Sequence, residues 1–571
     1  MKRRLRCITA GNGRAPCLAA GCLTVPTSSP HRPRIVARIV ASASRIDCRG
    51  TSPFAIADPE TADPPSLRML LSVLLPVRAR LGRCRLARAL AALLLGGSLL
   101  AATPAQAELP APLQQRLEQA GVPASALGLV VVPAAGGAPF IAHQAGRPLQ
   151  PASTMKLVTT LVGLEQLGPA WRARTRLLAA GPIDDGVLQG DLVLQGQGDV
   201  DLDVDALREL LRQARARGLA RIRGALVLDR SAFTPSRTDL GVPPFDEGPE
   251  FAYNVIPDAL LVGENLLRLM LFVDDQGLQA RLLTPLAGLR VAPAMQLVDG
   301  DCSRWDEGWQ APQLHPEGWL RERELVLRGS WPARCERLLA LNVLDRDEYI
   351  ARLVRGLWRE LGGTWAGEVR EGAAPPKARL LAEHASRPLA ELVRTINKRS
   401  DNILSRTLYL SLGRAWQASA DAAVPAPTLA RADEAVRAWL RAQGIDDAGL
   451  VLENGSGLSR RERITPLQLA AVVRAGLHSR WAPEFLASLP IAGVDGTLQR
   501  RLTHAAASGW ARLKTGTLKN VVALAGTLDD AGGQPLVVVA IFNDDEFRPA
   551  ALRPLVDAII DWIAQQRFVP G

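Results

Sequence analysis

The sequence predicts a mixed α/β (α+β) protein, a body of helices and strands interrupted by a large, mostly β insert. Three observations predict it. A β-rich run followed by a helical apolar face opens the body between 127 and 164. From 171 to 345 the texture changes to short apolar strands between Gly, Asp and Pro turns. Beyond 346 helices return, and the chain closes with three strand-like runs and a helix.

Taken in order, 112–120 is helical and Leu127-Gly-Leu-Val-Val-Val132 is a strand rich in β-branched residues. Ala-Ala-Gly-Gly is a turn and 139–143 a return strand, so a hairpin feeds the next segment. Met155, Val158, Leu161, Val162 and Leu164 keep a helical apolar face, which Gly168-Pro169 ends. In the insert, Gly190-Asp-Leu-Val-Leu194 and Gly224-Ala-Leu-Val-Leu-Asp229 are strands around a helix at 204–217. Asp199, Asp201, Asp203 and Asp205 alternate there. An EF-hand loop starting at Asp199 would need Gly and Glu where the chain has Val204 and Leu210, so these acids are read as a solvated turn and helix cap. After 346, helices are expected at 349–361, 388–397 and 429–443, and strands at 511–518, 521–528 and 535–542. A final amphipathic helix, 550–566, is neutral or acidic on its polar side near Asp557 and Asp561, which suits domain packing better than a membrane.

The 571 residues are enough for more than one domain. A net charge of +11 suggests a polyanionic partner until the charges are placed. Residues 1–107 hold 16 Lys+Arg and 4 Asp+Glu, and the remainder holds 52 and 53. The body therefore has no bulk positive field for nucleic acid.

The leader has its own logic. Arg83, Arg85 and Arg88 precede an apolar run at 89–102, and Ala105-Gln-Ala107 follows. A charged segment, a short apolar core and an Ala-x-Ala site read as a secretory signal over 69–107, cleaved after Ala107. The alternative is an uncleaved anchor helix, for which the run is short. Residues 1–68 are rich in Arg, Pro, Ser and Cys with no sustained period, and Met69 is the only methionine between Met1 and the apolar run. They are expected to be a gene-model extension or disordered leader, with translation starting at or near Met69. Five of the seven cysteines lie before 108 and two, Cys302 and Cys335, lie after it. In an oxidising compartment these two allow a disulfide or two separately buried thiols.

The stretch Pro151-Ala-Ser-Thr-Met-Lys156 holds Ser153 and Lys156, three apart and so on one helix face. A serine hydroxyl attacks well only when a neighbour takes its proton. A lysine of depressed pKa can do that and an arginine cannot. The chain uses arginine for nearly every cation, with lysine only at 2, 156, 377, 398, 514 and 519. Chance supplies one Ser-x-x-Lys in a chain of this length, and the plain alternative is a serine N-cap beside a solvated lysine.

Two further motifs change that balance. Ser153-Thr-Met-Lys156, Ser400-Asp401-Asn402 and Lys514-Thr515-Gly516, in this order, resemble the three motifs of the penicillin-binding proteins and serine β-lactamases. They fall on a helix start, a loop after a helix and a strand before a hairpin. The chain more specifically resembles the D-alanyl-D-alanine carboxypeptidases/endopeptidases of the penicillin-binding protein 4 type, over essentially all of 108–571. Four features carry this: the long gap from Ser153 to Ser400, Pro-Ala-Ser-Thr-Met-Lys itself, Gly455-Ser-Gly-Leu-Ser-Arg460, and Ala492-Gly-Val-Asp-Gly-Thr-Leu498. One departure is Asn454, where that family usually has Asp.

The resemblance implies a β-lactamase/transpeptidase-like domain, an antiparallel sheet flanked by helices, formed by 108–170 and 346–571. The insert at 171–345 is open to division into two small domains. The resemblance also implies Ser153 as nucleophile and Lys156 as its base, with Lys514 and the approach of Lys398 lowering the pKa of Lys156. Ser400 would pass a proton to the leaving amine and Asn402 would hold the peptide amide and the lysine. Lys514, Thr515, Gly516 and Thr517 would receive the substrate carboxylate, and the N–H groups of Ser153 and Thr517 would form the oxyanion hole. Arg460 and Asp246 resemble binding positions for the carboxylate and ammonium of a diaminopimelate-type side chain. Their plain alternatives are a structural salt bridge and an ordinary loop acid. The implied partners are peptidoglycan stem peptides, cross-links and β-lactams. No cofactor, metal, nucleic acid or stable membrane span after signal cleavage is expected, and a homo-oligomer is compatible. Two other functions compete. A serine β-lactamase is disfavoured by the size of the insert and the lack of a Glu-x-x-Leu-Asn motif. A catalytically vestigial wall-binding scaffold is disfavoured by the complete residue set.

Overall fold

The structure is a computed structural model that describes residues 109–315, 322–416 and 426–569. The expected 1–68 leader and the signal over 69–107 lie outside the described residues.

Five antiparallel strands carry the body: β1 (Leu127–Pro133), β2 (Ile141–His143), β3 (Arg512–Leu518), β4 (Val521–Asp529) and β5 (Pro535–Asn543). Their spatial order is β3-β4-β5-β1-β2. Side chains alternate faces along a strand, and both faces of this sheet are covered. Val537, Val539 and Ile541 of β5 join one buried cluster, and Leu536, Val538, Ala540 and Phe542 join another. Helices α1 (Ala111–Gln119) and α8 (Pro549–Gln565) cover the second face. On the first lie α2 (Lys156–Leu167), α3 (Leu389–Arg399), α4 (Asn402–Ala415), α5 (Thr428–Ala442), α6 (Pro466–His478) and the short α7 (Ala482–Ser488). Each fully buried Val, Leu or Ile in these layers contributes about 1.5–3 kcal/mol. Strand β3 ends the sheet; a single antiparallel bridge from Ile491 holds its start at Arg512, and the rest of its outer edge borders the site.

Among the described residues, the insert and the segment that follows it build four further sheets. A five-stranded sheet combines Arg174–Ala180, Asp191–Gly196 and Leu226–Asp229 with Val369–Glu371 and Arg379–Ala385. Thr364–Trp365 joins a smaller sheet beside it, and the helix Arg346–Glu360 packs Tyr349, Leu353, Leu357 and Trp358 into the insert's core. The expected boundary at 345/346 therefore cuts through this layer, and residues 346–385 pack with the insert. The sequence pattern misplaces them because an amphipathic helix has the same period whichever core it serves. Two further sheets, built from 267–341, complete the insert. A disulfide joins Cys302 to Cys335 there. The alternating acids act as partners and caps. Asp203 accepts from Ala206 N at the start of helix Val204–Ala216, Asp199 meets His384, and Asp201 meets Arg387.

Candidate active site

Ser153 lies in a short 3-10 turn, Ala152–Met155, that runs directly into α2. The sequence places it at the helix start; the structure puts it one turn earlier. Ala152 has φ +47, a left-handed conformation that a residue with a Cβ adopts at a cost. Two glycines let other chain segments approach this turn. A Cβ on Gly457 would sit 1.8 Å from Ala152 O, and one on Gly516 of β3 would sit 2.7 Å from Pro151 O. The glycine loop and the edge strand thus close on Ser153 from two sides.

Lys156, the first residue of α2, is 0 % exposed. Its Nζ lies 3.1 Å from Ser153 Oγ, 2.7 Å from Asn402 Oδ1 and 2.5 Å from Ser456 O. No carboxylate touches it among the described residues. Burial pulls its pKa down to about 7, helped by Arg406 and opposed by the charges of Asp401 and Glu462. Ser400 ends α3 in the left-handed region at φ +59, and Asp401 caps α4 by accepting from Leu404 N. That cap sets Asn402 at the head of α4, where its amide reaches Lys156.

Lys514 of β3 is likewise 0 % exposed. Its Nζ donates to Ser400 Oγ at 3.0 Å and to Thr515 O at 2.7 Å. Burial, then repulsion from Lys156, holds its pKa well below the usual lysine range. Thr515 Oγ1 donates to Thr497 Oγ1 at 2.8 Å, and Thr517 is exposed at the open edge. The structure therefore brings these residues into two hydrogen-bonded groups, Ser153–Lys156–Asn402 and Ser400–Lys514–Thr515, joined along the chain through Ser400-Asp401-Asn402.

Lys398 does not join them, which corrects the expectation that it approaches Lys156. Its Nζ pairs with both oxygens of Asp495 at 2.7 and 2.6 Å, tying the end of α3 to the 490–498 segment. Arg460 is exposed, with its guanidinium 4.9 Å above the Phe245 ring and no carboxylate partner among the described residues. That stack brings the loop holding Asp246 to the loop holding Arg460. Asp246 accepts from Tyr253 Oη, Asn254 Nδ2 and Gly248 N at 2.8, 2.7 and 3.1 Å. Asn454, the departure from the family pattern, accepts from Ser456 N and Oγ and donates to Leu458 O. A carboxylate could not make the last of these bonds.

Three contributors lay outside the sequence expectations. Ser456 gives its carbonyl to Lys156, and Thr497 meets Thr515. Glu462, fully buried, binds the glycine loop through three backbone N–H groups. The quoted motifs contained Ser456 and Thr497, but a backbone carbonyl leaves no side-chain signal. Glu462 between Arg461 and Arg463 reads as part of a solvated charge run.

The chain is similar to known proteins over most of its length. The chain is 31% identical over 512 residues to the D-alanyl-D-alanine carboxypeptidase of Actinomadura sp. (strain R39), covering 85% of this chain and 91% of the relative. It is 29% identical to the D-alanyl-D-alanine carboxypeptidase DacB of Haemophilus influenzae, over 69% of this chain and 80% of that one. The crystal structure of penicillin binding protein 4 (dacB) from Haemophilus influenzae superposes with a TM-score of 0.65 at 24% identity, covering 77% of this chain and 96% of the other, and shares the fold. Residues 109–566, nearly everything the structure describes, match one family throughout, and the chain belongs to the D-Ala-D-Ala carboxypeptidase 3 (S13) family.

Proposed function

We propose that Ser153 and Lys156 are the nucleophile and general base of a serine-type D-Ala-D-Ala carboxypeptidase/endopeptidase acting on peptidoglycan stem peptides and cross-links. The observation that carries this reading is the set of three partners around Lys156 Nζ. Asn402 Oδ1 and Ser456 O only accept hydrogen bonds, whereas Ser153 Oγ can donate. A neutral amine has two N–H bonds for the first two and a lone pair for the third. With a pKa of about 7, a large fraction of Lys156 is neutral near pH 7.

The reaction follows from these roles. Ser153 Oγ attacks the carbonyl carbon of the penultimate D-Ala while its proton passes to Lys156 Nζ. The oxyanion meets the N–H groups of Ser153 and Thr517, each such donor contributing roughly 3–4 kcal/mol. Ser400, bonded to Lys514, relays a proton to the leaving amine as the C–N bond breaks. Lys514, Thr515 and Thr517 receive the terminal carboxylate, with Gly516 allowing the close approach of β3. Water then takes the acyl group. A β-lactam would enter the same first half of the cycle. Asp246 and Arg460 are assigned to the ammonium and carboxylate of a diaminopimelate-type side chain, on the strength of the shared Phe245–Arg460 contact. The catalytic domain is assigned to 108–170 and the region after the inserted layer.

The enzyme is assigned to the periplasm, with Glu108 as the first residue after signal cleavage. No described helix is long and apolar enough to cross a membrane. Purified enzyme should be labelled by a fluorescent penicillin, hold the label for minutes and release D-Ala from a pentapeptide. Ser153→Ala should abolish labelling. Loss of label within seconds would favour a β-lactamase, and absence of labelling in the wild type would favour a scaffold.

A further inference from the structure

Glu462 is a costly residue for what it visibly does. Its Oε1 accepts from the backbone N–H groups of Glu453, Asn454 and Gly455 at 3.2, 3.0 and 3.0 Å. Its Oε2 is buried and has no hydrogen-bond partner among the described residues. The residue is 0 % exposed. A neutral glutamine oxygen could accept the same N–H bonds without burying a charge, and an unpaired buried carboxylate is among the dearest groups a fold can hold. Burial raises the pKa of this carboxyl, while the three loop N–H groups and Lys156 favour its ionised form, and an ionised Glu462 calls for a use beyond stapling the loop.

The loop it holds supplies that use. Gly455 O accepts from Thr159 Oγ1 of α2 and Ser405 Oγ of α4, at 2.6 and 2.9 Å. Ser456 O accepts from Lys156 Nζ. Glu462 thus lies behind the backbone that grips the lysine. Other charges share the pocket: Arg406, Asp401 and Lys514, with Glu453 at the loop's start and the Tyr409 phenol alongside. Arg406 Nη1 donates to Val255 O at 3.0 Å.

We infer that Glu462 is a positioning residue for acyl transfer: its carboxylate fixes the 455–457 loop and supplies the counter-charge for the proton that Lys156 takes from Ser153. Glu462 gains and loses no proton in the step. The proton leaves Ser153 Oγ, resides on Lys156 Nζ as the Oγ–C bond forms, and departs toward the leaving amine. Asn454 fits the same account. With one carboxylate already buried behind the loop, an aspartate at 454 would add a second beside it, whereas the amide makes the Ser456 and Leu458 bonds without charge.

The inference rests on the roles assigned to Ser153 and Lys156, and one experiment separates the two. The acylation rate constant for a chromogenic β-lactam is measured from pH 5 to 9 for the wild type, Ser153→Ala, Glu462→Gln and Glu462→Asp, with melting curves as fold controls. No acylation of the wild type would overturn the functional reading. If the wild type reacts with an acidic limb near pH 7, the isosteric Glu462→Gln should move that limb down by about half a pH unit or more, because a negative charge beside Lys156 is lost. Its plateau should fall about threefold, because the base is weaker. Glu462→Asp keeps the charge and should keep the limb. A Glu462→Gln limb coincident with the wild type would overturn the inference and leave the residue a loop staple. Should Glu462→Gln not fold, Asn454→Asp decides. A carboxylate added to the same loop should move the limb up, and an unmoved limb there would overturn the inference equally.

Discussion

The protein buries cations in two regions and treats them in opposite ways. In the active site two lysines touch only neutral oxygens: Ser153 Oγ, Asn402 Oδ1 and Ser456 O around Lys156, Ser400 Oγ and Thr515 O around Lys514, with the buried Arg406 nearby on Val255 O. In the insert the cations are arginines laid directly on carboxylates. Arg230 meets Asp258 at 2.9 Å and Asp347 at 2.7 Å, Arg346 meets Asp258 at 2.7 Å, and Arg323 and Arg352 clamp Glu348. A guanidinium paired in this way keeps its proton at any working pH. An amine buried among neutral acceptors is set to give its proton up. The contrast tells a reactive cation from a structural one: the residue type and its first contacts decide, and burial alone does not.

The sharpest way to break the comparison is to put the insert's cation into the active site. Lys156→Arg keeps the charge but cannot act as a base, and acylation by penicillin should fall at least about a thousandfold while the fold persists by circular dichroism. The reverse effect appears in stability. The folded-state pKa of Lys156 lies below that of the free residue, so the unfolded chain binds more protons between about pH 7 and the free-lysine value. This residue's contribution therefore rises with pH across that window, and a wild-type pH–stability curve should lose this component in Lys156→Met.

Breaking a structural pair should act on stability and spare the chemistry. Asp258→Asn leaves Arg230 and Arg346 without their shared carboxylate, and chemical denaturation should report a loss of about 3–5 kcal/mol with little change in acylation per folded molecule. Removing the Cys302–Cys335 bond by a double serine substitution opens a loop with a sequence separation of 33. The chain-entropy model gives about 3–4 kcal/mol for it, with a smaller observed loss where the reduced chain stays compact. An acylation rate unchanged in both variants would sharpen the comparison. A rate that falls with stability would blur it.

Much of the site was legible because its chemistry needs side chains in fixed sequence patterns. Ser153-x-x-Lys156 and Ser400-x-Asn402 sit at helix ends and Lys514-Thr-Gly516 within an edge strand, elements that the hydrophobic pattern locates. The core strands were legible because 521–525 and 536–542 are unbroken apolar runs, as a sheet covered on both faces requires. Helix α4 was not. Ser405, Thr407 and Ser411 interrupt its apolar pattern, yet all are buried. Thr407 and Ser411 donate back to the carbonyls four residues earlier, and Ser405 donates to Gly455 O, so their polarity is satisfied inside the bundle. Lys398 misled for the converse reason. Its position two residues before Ser400 suggests the active site, but its partner Asp495 lies 97 residues away and only the folded chain shows it.

The central claim is that Lys156 is a neutral amine for a large part of its time near pH 7. Lysine is rare enough here that NMR of enzyme carrying 13C at lysine Cε tests this directly, with Lys156→Met assigning the resonance. The account predicts that this resonance titrates near pH 7. A resonance that stays protonated until above pH 10 would contradict it.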